Sequence, residues 1–332
     1  MKPADLLRTL ATAAFALCLV VVVLGAWVRL SAAGLGCPDW PGCYGHFTPA
    51  GAAASGAEME VAKAWKEMVH RYAAATLGFL IVVIAALAIQ YRSQRLVSLR
   101  YALGLLALVV VQGIFGALTV TWQLKPLIVT THLLLGMSTL ALLWWMVLTL
   151  RHRGQVWHAH ADAPTHPLHQ ARQLAGAALV VLMLQIALGG WTSSNYAATA
   201  CPDFPQCQGA WWPDTDFRDA FVPWRGLGIN YEGGVLDHPA RVTIHLTHRL
   251  GALVTTLMLL WAALTVLRRR RLAIAHAAAI GVLAMLGLQL LIGISTVLRG
   301  FPLWLATAHN AGAALLLLSV LALYRALRPA RP

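Results

Sequence analysis

The sequence contains CPDWPGC at residues 37–43 and CPDFPQC at residues 201–207. Both segments fit the pattern Cys-Pro-Asp-aromatic-Pro-x-Cys. The first follows Gly25-Ala26-Trp27, and the second follows the similar Gly189-Gly190-Trp191. Such self-similarity indicates that the chain is built from two related halves.

The repeat continues through several polar residues. His70-Arg71 recurs as His248-Arg249. Four further residues recur, each 177 positions later: Gln112, Gly116, Thr119 and His132 recur as Gln289, Gly293, Thr296 and His309. A shared offset over four positions is difficult to obtain by chance. We therefore expect an N-terminal half over residues 1–150, a linker over 151–171 and a C-terminal half over 172–332.

The composition places these halves in a membrane. Of 332 residues, 59% are hydrophobic and only 11% are charged, which is rare for a soluble domain. A bilayer span needs about 20 apolar residues. The predicted spans are residues 8–30, 67–91, 99–122, 127–150, 172–194, 241–267, 272–298 and 303–325. The first follows Lys2 and Arg8, as a signal peptide would, but its length favours a retained helix.

These spans predict an all-α integral membrane protein of eight transmembrane helices. Each half has an even number of helices, so both halves insert with the same orientation. The sequence therefore predicts two four-helix bundles related by a pseudo-twofold axis along the membrane normal.

The charge distribution predicts the orientation. The net charge is +13, but the basic residues form short clusters between spans, which is typical of cytoplasmic flanks and not of a nucleic-acid surface. The basic segments contain Arg92, Arg95, Arg100, Arg151, Arg153, Arg172, Arg268 to Arg271, Arg325, Arg328 and Arg331. Acidic residues and the four loop cysteines occupy the alternate segments. We therefore expect both termini in the cytoplasm and both cysteine loops in an oxidising compartment.

Four histidines lie within predicted spans: His70, His132, His248 and His309. An ionisable residue there indicates function, although hydrogen bonding across helices is the simpler alternative. The two histidines of each half fall at similar depth near the outer face. Two imidazoles facing each other across a bundle can ligate a haem iron, whereas a structural zinc site would want closer ligands and more thiolate.

Charged residues accompany these histidines. Arg71 and Arg249 follow the first histidine of each pair and are predicted to bind haem propionates, with snorkelling to lipid head groups as the alternative. Glu67 precedes His70 by three residues, where the second half has His245. Residues three apart share a helix face, so Glu67 is a candidate acid–base group, or else a boundary glutamate favoured by the helix dipole.

The cysteine loops have two interpretations. Two prolines and an aromatic residue make each loop stiff enough to close a disulfide, Cys37–Cys43 or Cys201–Cys207, at a spacing unlike Cys-x-x-Cys. A structural staple is favoured for Cys201–Cys207, and a staple and a redox-active pair are equally open for Cys37–Cys43. No role is predicted for certain other histidines, of which the linker members are expected to be solvated: His46, His238, His245, His152, His158, His160, His166 and His169.

Over essentially all eight helices the chain resembles the haem A synthase family of bacterial inner membranes. The resemblance rests on Glu67-Met68-Val69-His70-Arg71, Thr131-His132, His245-Leu246-Thr247-His248-Arg249, Ala308-His309-Asn310 and the cysteine loops. It implies oxidation of the C8 methyl group of haem O to a formyl group by successive hydroxylations, giving haem A for terminal oxidases. It also implies disulfides in both outer loops.

The resemblance divides the roles between the halves. It implies that His70 and His132 hold the haem O substrate beside Glu67, and that His248 and His309 ligate a haem b cofactor. Haem O synthase, oxidase assembly factors and lipid are the implied partners, with a homo-oligomer possible and no nucleic acid.

Bis-histidine ligation leaves no iron position for O₂, which favours electron removal followed by addition of water. A dihaem electron carrier and a transporter are the competing hypotheses; a transporter would usually have broken mid-span helices.

Overall fold

The computed structural model describes residues 2–94, 96–151, 165–269 and 272–328, and it contains no β-strand within those ranges. Ten α-helices are described there: α1 (Pro3–Leu30), α2 (Pro49–Ala54), α3 (Val61–Gln90), α4 (Leu99–Thr121), α5 (Pro126–Arg151), α6 (Thr165–Ser194), α7 (Phe217–Ala220), α8 (His238–Leu267), α9 (Ala273–Leu298) and α10 (Leu303–Ala326). All except the short α2 and α7 are long and apolar enough to cross a membrane. The eight predicted spans are thereby confirmed.

Three helices begin five or more residues before the predicted span, and the first of them, α1, begins at Pro3 and not at residue 8. Helix α3 begins at Val61 and not at residue 67, so it extends beyond its apolar stretch through Lys63 and Lys66. Helix α6 begins at Thr165, inside the segment predicted as a linker, and Leu168 is buried there. Apolar length alone misses such polar first turns.

Several residues used in the sequence predictions lie outside the described residues: Arg95, His152, Arg153, His158, His160, Arg270, Arg271 and Arg331, as does the His166 side chain.

Each half is a ring of neighbouring helices. In the first half α1 packs against α3 and α5, and α4 packs against the same two helices. In the second half α6 packs against α8 and α10, and α9 does likewise. The halves meet where α1 contacts α10 and α5 contacts α6. This pattern is unchanged when each helix is exchanged for its repeat counterpart, although the twofold axis itself stays a prediction.

Two cations connect the halves, Lys125, which is buried, and Arg29, which is partly buried. Arg29, at the end of α1, donates to the carbonyl oxygen of Ser193 at 2.7 Å and lies 4.2 Å above the Tyr196 ring. Lys125, which is only 1% exposed, donates to the Gly226 carbonyl, and its ammonium lies 3.2 Å from the Trp224 ring centroid. Carbonyl oxygens and aromatic faces therefore stabilise both charges across the junction.

Candidate functional site

The structure brings the predicted histidines together within each half. His70 on α3 and His132 on α5 lie close enough to interact electrostatically. His248 on α8 and His309 on α10 do the same in the second half. Each half therefore presents one pair of imidazoles inside its own ring of helices.

Each imidazole packs against a glycine of a neighbouring helix. A Cβ atom placed on that glycine would approach the ring carbon Cε1 closely, at 3.0 Å for Gly25 and His70, 3.2 Å for Gly116 and His132, 3.2 Å for Gly189 and His248, and 2.8 Å for Gly293 and His309. A larger residue would displace the ring, so these glycines position the histidines by close backbone approach. The repeat marked all four glycines, but spacing alone did not predict this role.

Three rings also lie against the backbone one helical turn before the supporting glycine. His70 lies against Val21, His132 against Gln112 and His309 against Gln289. Nδ1 of these three rings has no hydrogen-bond partner among the described residues. The amide nitrogens of Gln112 and Gln289 lie 3.5 and 3.4 Å from Nε2 of His132 and His309. His248 differs because the Gln185 amide nitrogen lies 3.0 Å from its Nδ1.

The donor set suits haem better than a bare metal ion. Within the described part of the chain, no group of three or more His, Cys, Asp or Glu side chains could hold a metal. A zinc site needs three or four protein ligands. A porphyrin occupies the equatorial positions of its iron, so two axial histidines complete the coordination. Because each imidazole packs against a glycine, which has no side chain, the ring fits between its own helix and the neighbouring one. This packing is compatible with two axial histidines.

Glu67 is buried and held at two points. It is 4% exposed, its Oε2 accepts the Cys37 N–H at 2.9 Å, and its Oε1 lies 2.5 Å from Nη2 of Arg71. Since α3 begins at Val61, Glu67 lies in the second helical turn, beyond the first turn to which the helix-dipole effect is confined. The dipole alternative therefore does not account for this glutamate.

The two predicted propionate binders contact the cysteine loops. Arg71 donates to the carbonyl oxygens of Asp39 at 2.8 Å and Gly42 at 2.6 Å. Arg249 donates to the carbonyl oxygens of Cys201, Asp203 and Gln206 at 3.0, 2.8 and 2.8 Å. Both guanidinium groups therefore fix the backbone of a cysteine loop in this structure, and a contact with propionates stays a prediction.

The two cysteine loops have the same internal structure. Disulfides join Cys37 to Cys43 and Cys201 to Cys207, as predicted. We name residues 37–43 the first disulfide loop and residues 201–207 the second. The Asp39 carboxylate accepts the N–H groups of Tyr44 and Gly45 at 2.6 and 2.8 Å. Asp203 accepts those of Gln208 and Gly209 at the same two distances.

Three other described histidines, His46, His238 and His245, make contacts of their own, and His245 also interacts electrostatically with His248 on the same helix. His245 is 4% exposed, accepts the Nε–H of Arg249 at 3.2 Å and meets the Phe301 ring edge-on at 6.1 Å. His46 lies 3.0 Å from the Ser55 hydroxyl, and His238 contacts the Gln208 side chain. His46 therefore contributes to loop structure, and His238, the first residue of α8, ties that helix to the segment after the second disulfide loop.

Comparison with known proteins gives consistent matches. The model of a family described as cytochrome oxidase assembly protein matches residues 8–321. The haem A synthase of Shewanella oneidensis is 41% identical over 311 residues, which cover 91% of each chain. The haem A synthase of Methylobacterium nodulans is 30% identical over 338 residues, covering 91% of this chain and 86% of its own length. That of Symbiobacterium thermophilum is 31% identical over 61% of this chain and 64% of its own.

Proposed function

This chain belongs to the cytochrome oxidase assembly protein family, and we propose that it is a haem A synthase, which oxidises the C8 methyl group of haem O to a formyl group. The observation that carries this proposal is an inequality between two otherwise matched sites. Each half holds a histidine pair supported by glycines, but among the described residues only the first half has a buried carboxylate beside its pair. A dihaem electron carrier would not require that difference.

We assign the substrate to the N-terminal half, residues 1–150, and a haem b cofactor to the C-terminal half, residues 172–332. His70 and His132 would hold haem O, and His248 and His309 would be the axial ligands of haem b. Bound haem b would supply one-electron redox chemistry, which side chains lack. The glycine contacts keep the four imidazoles oriented before any ligand arrives, and this lowers the cost of binding.

Glu67 is the proposed acid–base residue. A methyl C–H bond does not react with side-chain acids or bases, so proton transfer must accompany electron removal. The Cys37 N–H and Arg71 hold the Glu67 carboxylate in place, three residues from His70 on the same helix face. A carboxylate held there can accept protons from the reacting carbon, or stabilise positive charge, while water adds.

The proposed setting is a bacterial inner membrane crossed by the eight apolar helices. Both termini would be cytoplasmic and both disulfide loops external, with the halves related by a pseudo-twofold axis. Haem O synthase would hand over the hydrophobic substrate, oxidase assembly factors would receive the product, and the chain could form homo-oligomers.

A pigment assay tests the activity. Purified protein in lipid nanodiscs is incubated with haem O and ferricyanide as the electron acceptor, and the extracted pigments are separated by chromatography. We expect haem A together with a hydroxymethyl intermediate. Unchanged haem O, with haem b bound tightly at both histidine pairs, would instead identify an electron carrier.

Isotope labelling tests the water route separately. The alcohol oxygen of the hydroxymethyl intermediate does not exchange readily with solvent, unlike the formyl oxygen, so it is the atom to measure. We expect its label to come from ¹⁸O-labelled water. A label that came from ¹⁸O₂ would exclude water addition and leave the overall activity standing.

A further inference from the structure

A cleft of about 530 Å³ lies between α1 and α10, where the two halves meet. Its lining consists of Val23, Trp27, Leu303, Trp304, Thr307, Ala308 and Ala311. None of these side chains is charged. Trp304 is 63% exposed, so the cleft opens sideways from the apolar helices, towards the region that lipid occupies.

The cleft lies between the two histidine pairs. On α1, Gly25 supports His70 and stands between Val23 and Trp27 in sequence. On α10, His309 stands between Thr307 and Ala311. Residues two apart on a helix point about 200° apart, which is to nearly opposite sides. Each helix therefore presents the cleft on one face and a histidine pair on the other, and a single helix separates the cleft from either pair.

The lining favours a flat, neutral ligand with a hydrogen-bond acceptor. The Thr307 hydroxyl oxygen is buried in this structure and has no hydrogen-bond partner among the described residues. An unpaired polar group at membrane depth is unfavourable, and threonine populates two rotamers in a helix, so this hydroxyl can turn to an occupant. The Trp304 indole offers an aromatic face for an occupant's ring. A phosphate-bearing carrier would require cations that the lining lacks.

We propose that the cleft between α1 and α10 binds a quinone, which accepts the electrons removed from the substrate; this inference rests on the proposed function. Conversion of a methyl group and one water to a formyl group releases four electrons and four protons. Two quinones take up these electrons and protons and leave as two quinols. The position of the cleft, one helix from each histidine pair and open to lipid, suits an acceptor that exchanges with the membrane.

Photolabelling tests binding independently of activity. Protein in nanodiscs is illuminated with an azido-quinone, and labelled peptides are mapped by mass spectrometry. We expect label on α1 or α10, displaced by excess decylubiquinone. Ala311→Trp, which fills the cleft, should reduce the label at least tenfold. The matched control Ala86→Trp, at an exposed position of α3, should leave the label unchanged.

A conservative variant tests the hydrogen bond. Thr307→Val keeps the side-chain volume and removes the donor, so quinone binding should weaken by about two- to tenfold. Label that Ala311→Trp or decylubiquinone does not reduce would overturn the proposal. So would equal labelling by an azido-acyl phospholipid that decylubiquinone does not displace, because the occupant would then be a lipid chain.

Anaerobic turnover separates this proposal from the proposed function. Haem O is supplied with either ferricyanide or decylubiquinone as the acceptor. Haem A formed with ferricyanide but not with decylubiquinone would refute the quinone site and leave the activity standing. If neither acceptor yields haem A while α10 is still labelled competitively, the proposed function fails and the quinone site stands.

Discussion

The first and second disulfide loops are built alike and differ in what lies beneath them. In both loops an aspartate accepts two backbone N–H groups, and an arginine from the following long helix donates to loop carbonyls. Beneath the first loop that arginine pairs with Glu67, and beneath the second it donates to His245. Both side chains are equally buried, at 4% exposure.

The comparison shows two matched scaffolds that differ in one buried side chain. The loop, the arginine and the histidine pair are retained in both halves, so the geometry is maintained by the same hydrogen bonds. Exchange of one residue gives the first half a carboxylate whose other oxygen accepts the Cys37 N–H. The difference therefore places a carboxylate beneath the first loop, and a role for it in proton transfer stays a proposal.

The largest expected difference between the halves concerns retained haem. His309→Ala removes a proposed axial ligand, so purified protein should lose nearly all of its haem b. His132→Ala should retain haem b and lose haem O conversion, because it alters only the substrate site. Absorption spectra and pigment extraction measure both effects. His169→Ala, at an exposed position of α6, is the control and should behave like the wild type. Equal loss of haem b in the two pair variants would show that the halves are equivalent.

Glu67→Gln tests the one exchanged position. The glutamine oxygen can still accept the Cys37 N–H, so the loop contact survives while the acid–base group is lost. We expect conversion to fall by about 100-fold or more with haem b content unchanged. His245→Gln is the matched variant and should retain most of the conversion. If Glu67→Gln converts haem O normally, the carboxylate has only a structural role and the comparison loses its meaning.

The supporting glycines predict an intermediate effect. A Cβ at Gly293 would lie 2.8 Å from His309, whereas one at Gly116 would lie 3.2 Å from His132. Overpacking costs about 1–3 kcal/mol, so Gly293→Ala should lower haem b occupancy by about fivefold or more. Gly116→Ala should produce a smaller rise in KM for haem O.

Two other glycines provide controls for these variants. Gly287 on α9 and Gly113 on α4 have open space where a Cβ would be placed. Alanine there should be neutral, or slightly stabilising through its higher helix propensity. If Gly287→Ala releases haem b as readily as Gly293→Ala, then loss of glycine from the helix, and not contact with the histidine, is the cause.

The sequence was sufficient for features that follow from patterns along the chain. Apolar length located the eight helices, and the internal repeat pointed to both histidine pairs and both cysteine loops. The exchange of Glu67 for His245 was visible for the same reason. Such features need only neighbouring residues or a repeated spacing.

Features that depend on distant contacts could not be predicted in this way. Arg71 follows His70 in sequence, but its hydrogen bonds reach loop carbonyls about thirty residues earlier. In the sequence Lys125 stands just before a predicted span, where an exposed cation is common. In the structure it is buried against the Trp224 ring of the other half. Both residues are satisfied by backbone or aromatic groups whose position only the folded chain specifies.

The smallest expected difference concerns the loop aspartates. Asp39→Asn and Asp203→Asn each replace one accepting oxygen by an amide, which should weaken local protection of the loop by about 1–2 kcal/mol. Amide exchange at Tyr44 and Gly45, or at Gln208 and Gly209, measures it. Only Asp39→Asn should also lower conversion, and only modestly, because its loop carries the Cys37 N–H that holds Glu67.

The pH dependence of the two loops gives this last prediction a control. Burial opposes the shift at Asp39, but the N–H groups of Gly45 and Tyr44 hold its pKa below the ordinary 3.8. The Gly209 N–H, followed by that of Gln208, likewise lowers the pKa of Asp203. A carboxylate whose pKa is lowered on folding stabilises the folded loop at every pH above its unfolded pKa. This stabilisation is lost as the pH falls through the lowered pKa of the folded state. Wild-type protection should therefore be constant above about pH 5 and decline below 3.8 in both loops, whereas each Asn variant should show no decline in its own loop. Equal effects of the two variants on conversion would mean that the first disulfide loop does not act through Glu67.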